Sequence, residues 1–379
     1  MINLHKLTQQ WDKRGFYQVG PEKHYNKLEA IRASNRTGHF PEWNFNDQAF
    51  ASVDWKTEPH ESLAELYKQR AQQLREQYDH IVLFFSSGAD STNVLQSFLF
   101  NNIPIDELFV FGNFEKDRTT YDLDKRPGNY NAELYNVGLP YIRELAKTYK
   151  FKFTQHDWTD DVMQGYKNTD WIWSAGARFQ PNVVARNRFH SMTREHLNMY
   201  DRDLKVAFVY GAEKPRIIYR DGHYYIGFLD VMPSTSIGSI GQELQNHWEH
   251  DEYFYWTPDL PKLLVKQAHV VMRHFKQHPG NIDLIENADK ASWHTERYYE
   301  TINPLIYPGW RQDIFQVKKP TSPTFNELDK WFLDADTPER KIWLEGLREV
   351  EQIVGEKWLN KGGIAKGLVG NWSRFYPLD

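Results

Sequence analysis

The chain has 379 residues, a formal net charge of −5 and no cysteine, with 40% hydrophobic and 26% charged residues. The length exceeds what one compact core usually absorbs, so we expect two domains or one enlarged domain of a globular protein. The missing cysteines exclude disulfides, cysteine-ligated zinc, iron–sulfur clusters and any mechanism that uses a thiolate of this chain. No apolar stretch approaches the ~20 residues of a membrane helix, and no apolar signal core follows Met1, so we expect a cytoplasmic protein.

The first segment, residues 1–60, is rich in aromatic, polar and histidine residues and is broken by Pro41 and Pro59. We predict that it is an irregular extension wrapped on the main domain. Apolar residues at helical spacing then predict a helix over 61–78.

A succession of strands and helices follows. The continuous apolar run Ile81–Phe85 predicts a strand that is buried on both faces of a parallel sheet, and Asp221-Gly222 indicates a hairpin. Strands that alternate with helices predict an α/β fold with a doubly wound, mostly parallel sheet. The further predicted elements are helices at 92–100, 133–149 and 186–199, strands at 107–112, 151–155 and 205–211, and the hairpin at 217–228.

The pattern becomes mainly helical towards the C-terminus, with predicted helices at 260–277, 326–333 and 338–359. We therefore predict three units along the chain. They are an N-terminal extension (1–60), a domain that contains the sheet (61–235) and a mainly helical C-terminal lobe (236–379).

A serine- and glycine-rich loop joins the first predicted core strand to a helix, with the sequence Ser86-Ser87-Gly88-Ala89-Asp90-Ser91-Thr92. Gly88 lets the backbone turn tightly, the serine hydroxyls add donors, and the start of a helix directs free N–H groups at an anion. Asp90 is the candidate metal ligand, since Mg²⁺ is usually held by one or two carboxylates together with phosphates and water. The alternative interpretation is a plain turn between a strand and a helix.

The segment Ile81–Thr92 resembles the PP-loop of the ATP pyrophosphatases, whose usual pattern is Ser-Gly-Gly-Xaa-Asp-Ser; Ser87 stands where a glycine is usual. The succession of strands and helices extends this resemblance over residues 80–230. Trp43, Trp55 and the run Tyr253–Asp259 are similar to asparagine-synthase-like phage proteins.

The resemblance implies an adenine nucleotide alpha hydrolase-like fold that uses ATP and Mg²⁺. It implies that residues 86–92 bind ATP and that Asp90 holds the metal. The implied reaction cleaves ATP between the α and β phosphates. A substrate oxygen is adenylated, pyrophosphate is released, and an amine then displaces AMP.

A second group of charged residues follows the predicted strand at 205–211, in the sequence Gly211-Ala212-Glu213-Lys214-Pro215-Arg216. Ligands of open α/β sheets gather at the carboxyl ends of the strands. Lys214 and Arg216 are therefore candidate catalytic residues, the first for charge on the α-phosphate and the second for bidentate contacts to pyrophosphate. Glu213 is a candidate for a metal or a substrate amine. The alternative is a turn whose charges face water.

Three other groups are weaker candidates. A solvated loop and a capped strand end are the more common explanations of the first two, and an ordinary surface explains the third equally well. They are the charged loop Asp117–Arg126, the pair His156-Asp157, and the basic cluster of Arg178, Arg186, Arg188 and His190.

The absence of cysteine also narrows the reaction, since sulfur chemistry and glutamine hydrolysis in the PP-loop enzymes use a thiol. We predict an AMP- and pyrophosphate-forming ligase or transferase that makes an amide or C–N bond on a small-molecule or nucleobase acceptor. Two alternatives stay open. One is nucleobase, tRNA or DNA modification, which the aromatic residues favour and the net charge of −5 does not indicate. The other is a non-catalytic nucleotide-binding regulatory protein, which Ser87 favours. We expect no membrane partner, and the oligomeric state stays open.

Overall fold

The computed structural model describes residues 13, 15–112, 134–157, 166–174, 179, 204–211, 213–230, 251–288, 295–315, 334, 336–360 and 367–379. Its strands are β1 (Phe16–Val19), β2 (Glu22–His24), β3 (Glu42–Asn44), β4 (His80–Phe84), β5 (Glu107–Gly112), β6 (Lys152–Asp157), β7 (Val206–Tyr210), β8 (Arg216–Arg220), β9 (His223–Gly227), β10 (Asp251–Tyr253), β11 (Leu359–Asn360), β12 (Gly367–Leu368) and β13 (Tyr376–Pro377). Its α-helices are α1 (Lys27–Thr37), α2 (Asp47–Phe50), α3 (Leu63–Gln77), α4 (Ala89–Leu99), α5 (Leu139–Leu145), α6 (Pro261–Gln277), α7 (Thr295–Ile306), α8 (Gln312–Phe315) and α9 (Pro338–Val354).

A five-stranded sheet in the order β10-β7-β4-β5-β6 lies at the centre, and each neighbouring pair is parallel. The central strand β4 is buried on both faces. Ile81 and Leu83 join the main core, whereas Phe84 joins Phe109 and Phe208 in a smaller cluster. This burial explains the continuous apolar run, and it confirms an α/β protein with a parallel sheet.

The helices before and after β4 follow the predicted pattern. The Ser62 hydroxyl caps α3 by accepting from the Glu65 N–H, and the Ser62 N–H donates to the Glu65 carboxylate. This reciprocal pair of bonds is a capping box. Helix α4 begins at Ala89, earlier than the predicted start at residue 92, so Asp90 lies in its first turn.

The N-terminal segment is regular where the structure describes it, so the prediction of an irregular extension is wrong. Strands β1, β2 and β3 form an antiparallel sheet, and α1 follows β2. Strands of three or four residues are too short to show a clear alternation in the sequence. Helix α1 also buries the polar residues Lys27 and Ser34, so the sequence does not show a continuous apolar face for this helix.

The predicted hairpin is confirmed as β8 and β9, joined at Asp221 and Gly222. Both turn residues have positive φ, 52° and 84°, as the favoured two-residue hairpin turn requires. The C-terminal β13 adds a third, antiparallel strand beside β9.

The C-terminal part of the chain shares the main core instead of standing apart from it. Strand β10 pairs with β7, while Leu263 of α6 and Tyr298 of α7 belong to the same buried cluster as Leu83. The predicted helices at 186–199 and 326–333 lie outside the described residues. Within the described residues, no helix is long and apolar enough to cross a membrane.

Candidate functional site

The chain order of the sheet places a switch point between β4 and β7, and we call the region beyond the carboxyl ends of these two strands the crevice. From β4 the chain proceeds to β5 and β6 on one side, and then returns to β7 on the other side of β4. The connections after β4 and β7 therefore leave the same sheet edge in different directions. Such a switch point is where open α/β sheets bind ligands. The two predicted groups of site residues follow these two strands.

The loop after β4 leads directly into the N-terminus of α4. Gly88 is the N-cap residue, and no side chain of the described residues caps the helix. The first helical bond runs from the Thr92 N–H to the Gly88 carbonyl at 3.0 Å, and Thr92 itself is buried. The first-turn N–H groups and the positive end of an 11-residue helix therefore face the crevice, which is the arrangement that favours an anion.

Ser86 and Ser91 brace the loop internally. The Ser91 hydroxyl accepts from the Ser86 N–H at 3.2 Å and donates to the Gly88 carbonyl at 3.2 Å. Ser91 is buried, whereas Ser86 is exposed with its hydroxyl 3.3 Å from the Ser91 hydroxyl. Ser91 therefore holds the shape of the loop, and Ser86 is the serine that presents its hydroxyl to solvent.

Ser87 points away from this surface. Its φ is +64°, in the left-handed region that favours glycine, and it is 1% exposed. Its hydroxyl has no hydrogen-bond partner among the described residues, and a Cβ on Gly138 would lie 1.8 Å from it. The backbone conformation is thus the one that the usual glycine of the PP-loop pattern would adopt freely. The Ser87 hydroxyl is packed against Gly138 instead of lying in the crevice.

Asp90 receives contacts from three distant parts of the chain. Its Oδ2 pairs with the Lys214 ammonium, and its Oδ1 accepts from the Tyr307 hydroxyl. The Tyr255 hydroxyl donates to the Asp90 carbonyl at 2.9 Å and accepts from the Asn93 amide at 2.9 Å. The Asp90 side chain is still 24% exposed, so the carboxylate lies at the surface of the crevice.

The segment after β7 is packed against the loop. A Cβ on Gly211 would lie 2.9 Å from the Ser91 nitrogen, so only glycine allows this approach. Glu213, Lys214 and Arg216 are all buried. The alternative interpretation of a turn whose charges face water is therefore wrong.

The three charged residues of this segment form a linked group. Arg216 donates to Glu213 Oε2 at 3.2 Å and to the Tyr299 hydroxyl at 2.6 Å. Burial alone would raise the pKa of Glu213, but Arg216 and Lys214 outweigh it and hold the pKa below its usual value. Glu213 is thus a carboxylate that compensates the two cations.

Tyrosines of the C-terminal part complete the site, and sequence reasoning missed them. Tyr255 follows β10, Tyr299 lies on α7 and Tyr307 follows α7. Burial raises the pKa of Tyr307 well above its usual value, and the charge of Asp90 raises it further. Its hydroxyl is therefore a hydrogen-bond donor at neutral pH. The sequence signals were the run Tyr253–Asp259 and the tyrosines near 298–307, but nothing local ties either to Asp90.

The carboxylate of Asp90 is the candidate ligand for a magnesium ion. The described residues contain no group of three or more His, Cys, Asp or Glu side chains that could hold a metal. Asp90 is a partly exposed carboxylate in the first turn of α4. This fits Mg²⁺ that is held jointly by one carboxylate, phosphate oxygens and water, and it does not fit a metal cage built by the protein alone.

Of the remaining predicted residues, the structure describes Ala89, His156 and Asp157. Ala89 is buried at the start of α4. His156 and Asp157 end β6, at the far edge of the sheet from β7. The charged loop Asp117–Arg126, Ala212 and the basic cluster of Arg178, Arg186, Arg188 and His190 lie outside the described residues.

No protein-family model and no curated protein matches the chain. What the fold defines is the class: an α/β protein with a five-stranded parallel sheet, small antiparallel sheets and C-terminal helices. The assignment to the ATP pyrophosphatases stays a prediction that depends on the loop and on its position in the sheet.

Proposed function

We propose that the chain is an ATP pyrophosphatase-type enzyme, with a doubly wound sheet of the adenine nucleotide alpha hydrolase type. One observation carries the proposal. The Ser86–Ser91 loop lies at the switch point between β4 and β7, and Lys214, in the segment after β7, pairs with Asp90.

The residues have distinct roles in this proposal. The first-turn N–H groups of α4 and the Ser86 hydroxyl would bind the pyrophosphate part of ATP. Asp90 would hold Mg²⁺, which supplies positive charge against the phosphates. Lys214 would direct its ammonium at the charge that develops on the α-phosphate. Arg216 is held by Glu213 and Tyr299, so it would contribute from a fixed position.

The proposed reaction is adenylation of a substrate oxygen with release of pyrophosphate, followed by displacement of AMP by an amine. The absence of cysteine in the chain supports a carbon–nitrogen bond in preference to sulfur transfer or glutamine hydrolysis. The acceptor is a small molecule or a nucleobase.

The experiment is a search for acceptor-stimulated release of AMP and pyrophosphate from ATP and Mg²⁺. ADP and phosphate as products would indicate a different ATPase. Tight ATP binding without turnover in any acceptor mixture would indicate a nucleotide-binding regulatory protein. Stimulation by tRNA or DNA alone would indicate nucleic-acid modification.

The metal role of Asp90 has its own test. Asp90→Asn is expected to abolish Mg²⁺-dependent pyrophosphate release, because the amide cannot replace a carboxylate ligand. Asp313→Asn is the matched control, since this exposed carboxylate pairs with Arg311 on the surface. Unchanged turnover of Asp90→Asn over a magnesium titration would remove Asp90 from the metal site.

A further inference from the structure

Tyr299 of α7 contacts both cations of the candidate site. The Lys214 ammonium lies 4.4 Å from the centre of the Tyr299 ring, and the Arg216 guanidinium carbon lies 5.6 Å from it. The Tyr299 hydroxyl also accepts a 2.6 Å hydrogen bond from Arg216. A single side chain of α7 thus contacts Lys214 through its ring and hydrogen-bonds Arg216 through its hydroxyl.

We propose that Tyr299 is a positioning residue that fixes the direction of Lys214 and Arg216 in the crevice. The inference rests on the proposed function, because the two cations have a task only if the crevice binds phosphates. By this proposal α7 contributes a residue that orients the two cations, in addition to the residues of the loop and of the segment after β7.

A lysine at this position needs such support. Its four-carbon stem has several rotamers, and a single carboxylate partner restricts the ammonium only in distance. A ring face gives a second, independent contact through the attraction of the cation to the aromatic quadrupole. This contact does not involve Asp90, so it is retained when the Asp90 carboxylate contacts a metal.

Arg216 is held by a different part of the same tyrosine. Its NH2 group is shared between Glu213 and the Tyr299 hydroxyl, and that hydroxyl lies 3.5 Å from both Glu213 oxygens. Removing the hydroxyl leaves the Arg216–Glu213 pair and takes away one hydrogen bond to the guanidinium. The ring and the hydroxyl can therefore be tested separately.

The neighbouring Tyr298 makes different contacts with the same segment. Its hydroxyl donates to the Pro215 carbonyl at 2.6 Å and accepts from the Ile217 N–H at 3.2 Å. Tyr298 thus holds the backbone of the segment, whereas Tyr299 holds the charged side chains. The two adjacent tyrosines therefore hold the same segment, one through its backbone and the other through its charged side chains.

The test uses Tyr299→Phe, Tyr299→Leu and a matched control, Tyr376→Phe. Phenylalanine keeps the ring and loses the hydroxyl, whereas leucine loses both. Tyr376 also has a hydroxyl that bonds a carboxylate, that of Asp47 at 3.2 Å, but it packs against Trp55 and Phe228. Circular dichroism and the thermal midpoint establish that each variant is folded.

Steady-state kinetics of pyrophosphate release form the first readout. Tyr299→Leu is expected to lower kcat about tenfold, since Lys214 loses its ring contact. Tyr299→Phe is expected to keep kcat within about twofold while it raises the KM for ATP, because only the Arg216 contact is lost. A merely structural role would lower activity in both variants in proportion to their stability, without this split between kcat and KM.

Reactivity of the Lys214 amine towards an acylating reagent, measured by peptide mass spectrometry without nucleotide, forms the second readout. The amine is expected to react faster in Tyr299→Leu than in wild type, and at the wild-type rate in Tyr299→Phe and Tyr376→Phe. Equal rates in all four proteins would overturn the positioning role. ATP with Mg²⁺ is expected to protect Lys214 in wild type. No protection and no AMP would overturn the proposed function, whatever the rates without nucleotide show.

Discussion

Two buried lysine–aspartate pairs in this chain have different surroundings. The pair of Lys27 and Asp230 is enclosed, with side-chain exposures of 1% and 0%. The pair of Lys214 and Asp90 is 8% and 24% exposed and lies beside the N-terminus of α4. The same chemical pair therefore occurs once inside the protein and once at the edge of a crevice.

The enclosed pair has its polar groups satisfied by three parts of the chain. Tyr17 of β1 donates to Asp230 Oδ2 at 2.7 Å, and the Asn371 N–H donates to Oδ1 at 3.0 Å. Lys27 of α1 also donates to the Val369 carbonyl. The pair and its partners thus join Tyr17 of β1, Lys27 of α1, Asp230 beyond the end of β9 and the C-terminal segment 367–379, so the role of the pair is structural.

The pair in the crevice is set among incompletely satisfied groups. Asp90 lies in the first turn of α4, where no side chain among the described residues caps the helix, and the buried Ser87 hydroxyl of the same loop has no partner among the described residues. Unsatisfied groups and strained backbone collect at functional sites, where the surrounding structure holds them in place. The comparison therefore indicates that a buried lysine identifies a candidate site where its carboxylate partner is partly exposed at the N-terminus of a helix.

The largest expected effect is on stability, at the enclosed pair. Asp230→Ala is expected to lower the free energy of unfolding by about 3–5 kcal/mol, because it leaves the Lys27 charge buried and unpaired. Asp90→Ala is expected to cost less than half of that, since the Lys214 ammonium can turn towards the solvent of the crevice. Urea unfolding of both variants measures the difference.

A double variant provides the control. Lys27→Met with Asp230→Asn removes both charges and keeps a group that accepts from Asn371, so it is expected to recover most of the lost stability. Equal losses for Asp230→Ala and Asp90→Ala would contradict the division into a structural pair and a site pair.

The next effect is on turnover, at the crevice. Lys214→Ala is expected to lower kcat by about 10²–10³-fold while ATP affinity changes less, because the ammonium acts on charge that develops in the transition state. Lys147→Ala is the control, since this exposed lysine pairs with Glu144 on the surface. A change in affinity alone would make Lys214 a ground-state ligand.

Much of this fold was predictable because its signals are local. The apolar run Ile81–Phe85, the hairpin turn at Asp221 and the serine–glycine loop each report on neighbouring residues. The strand and the hairpin lie within one residue of their predicted bounds, whereas the helix after the loop begins at Ala89 instead of residue 92. Strand β10 was not predicted, because two of its three residues are acidic and it pairs only with β7 among the described strands.

The tyrosines of the site could not be predicted in the same way. Tyr255 and Tyr307 are 165 and 217 residues from Asp90 in the chain. Their roles arise only when β10 and α7 pack beside α4. In a sequence with 21 tyrosines, a buried tyrosine in a helical segment is first of all a core residue.

A smaller effect concerns pH and the charges around Glu213. Its pKa is lowered, so its stabilisation is present above the usual value of 4.5 and is lost as the pH falls through the lowered value in the folded state. Unfolding free energies of wild type and Glu213→Gln, measured from pH 6 downwards, are expected to converge below pH 4.5. The slopes differ by at most one proton, about 1.4 kcal/mol per pH unit. Parallel curves would mean that Glu213 is not held ionised by Arg216 and Lys214.

The smallest expected effect is on stability, at Ser87 in the loop before α4. Ser87→Gly is expected to raise the free energy of unfolding by about 1 kcal/mol, because glycine relieves the left-handed backbone and removes a buried hydroxyl, which together outweigh its extra chain entropy. Asn102→Gly is the control, since Asn102 also has positive φ, 57°, but is exposed and asparagine tolerates that conformation. It is expected to change stability by only a few tenths of a kcal/mol. If Ser87→Gly is the less stable protein, Ser87 packing against Gly138 is a structural contact that stabilises the loop, and the strain argument for this half of the comparison fails.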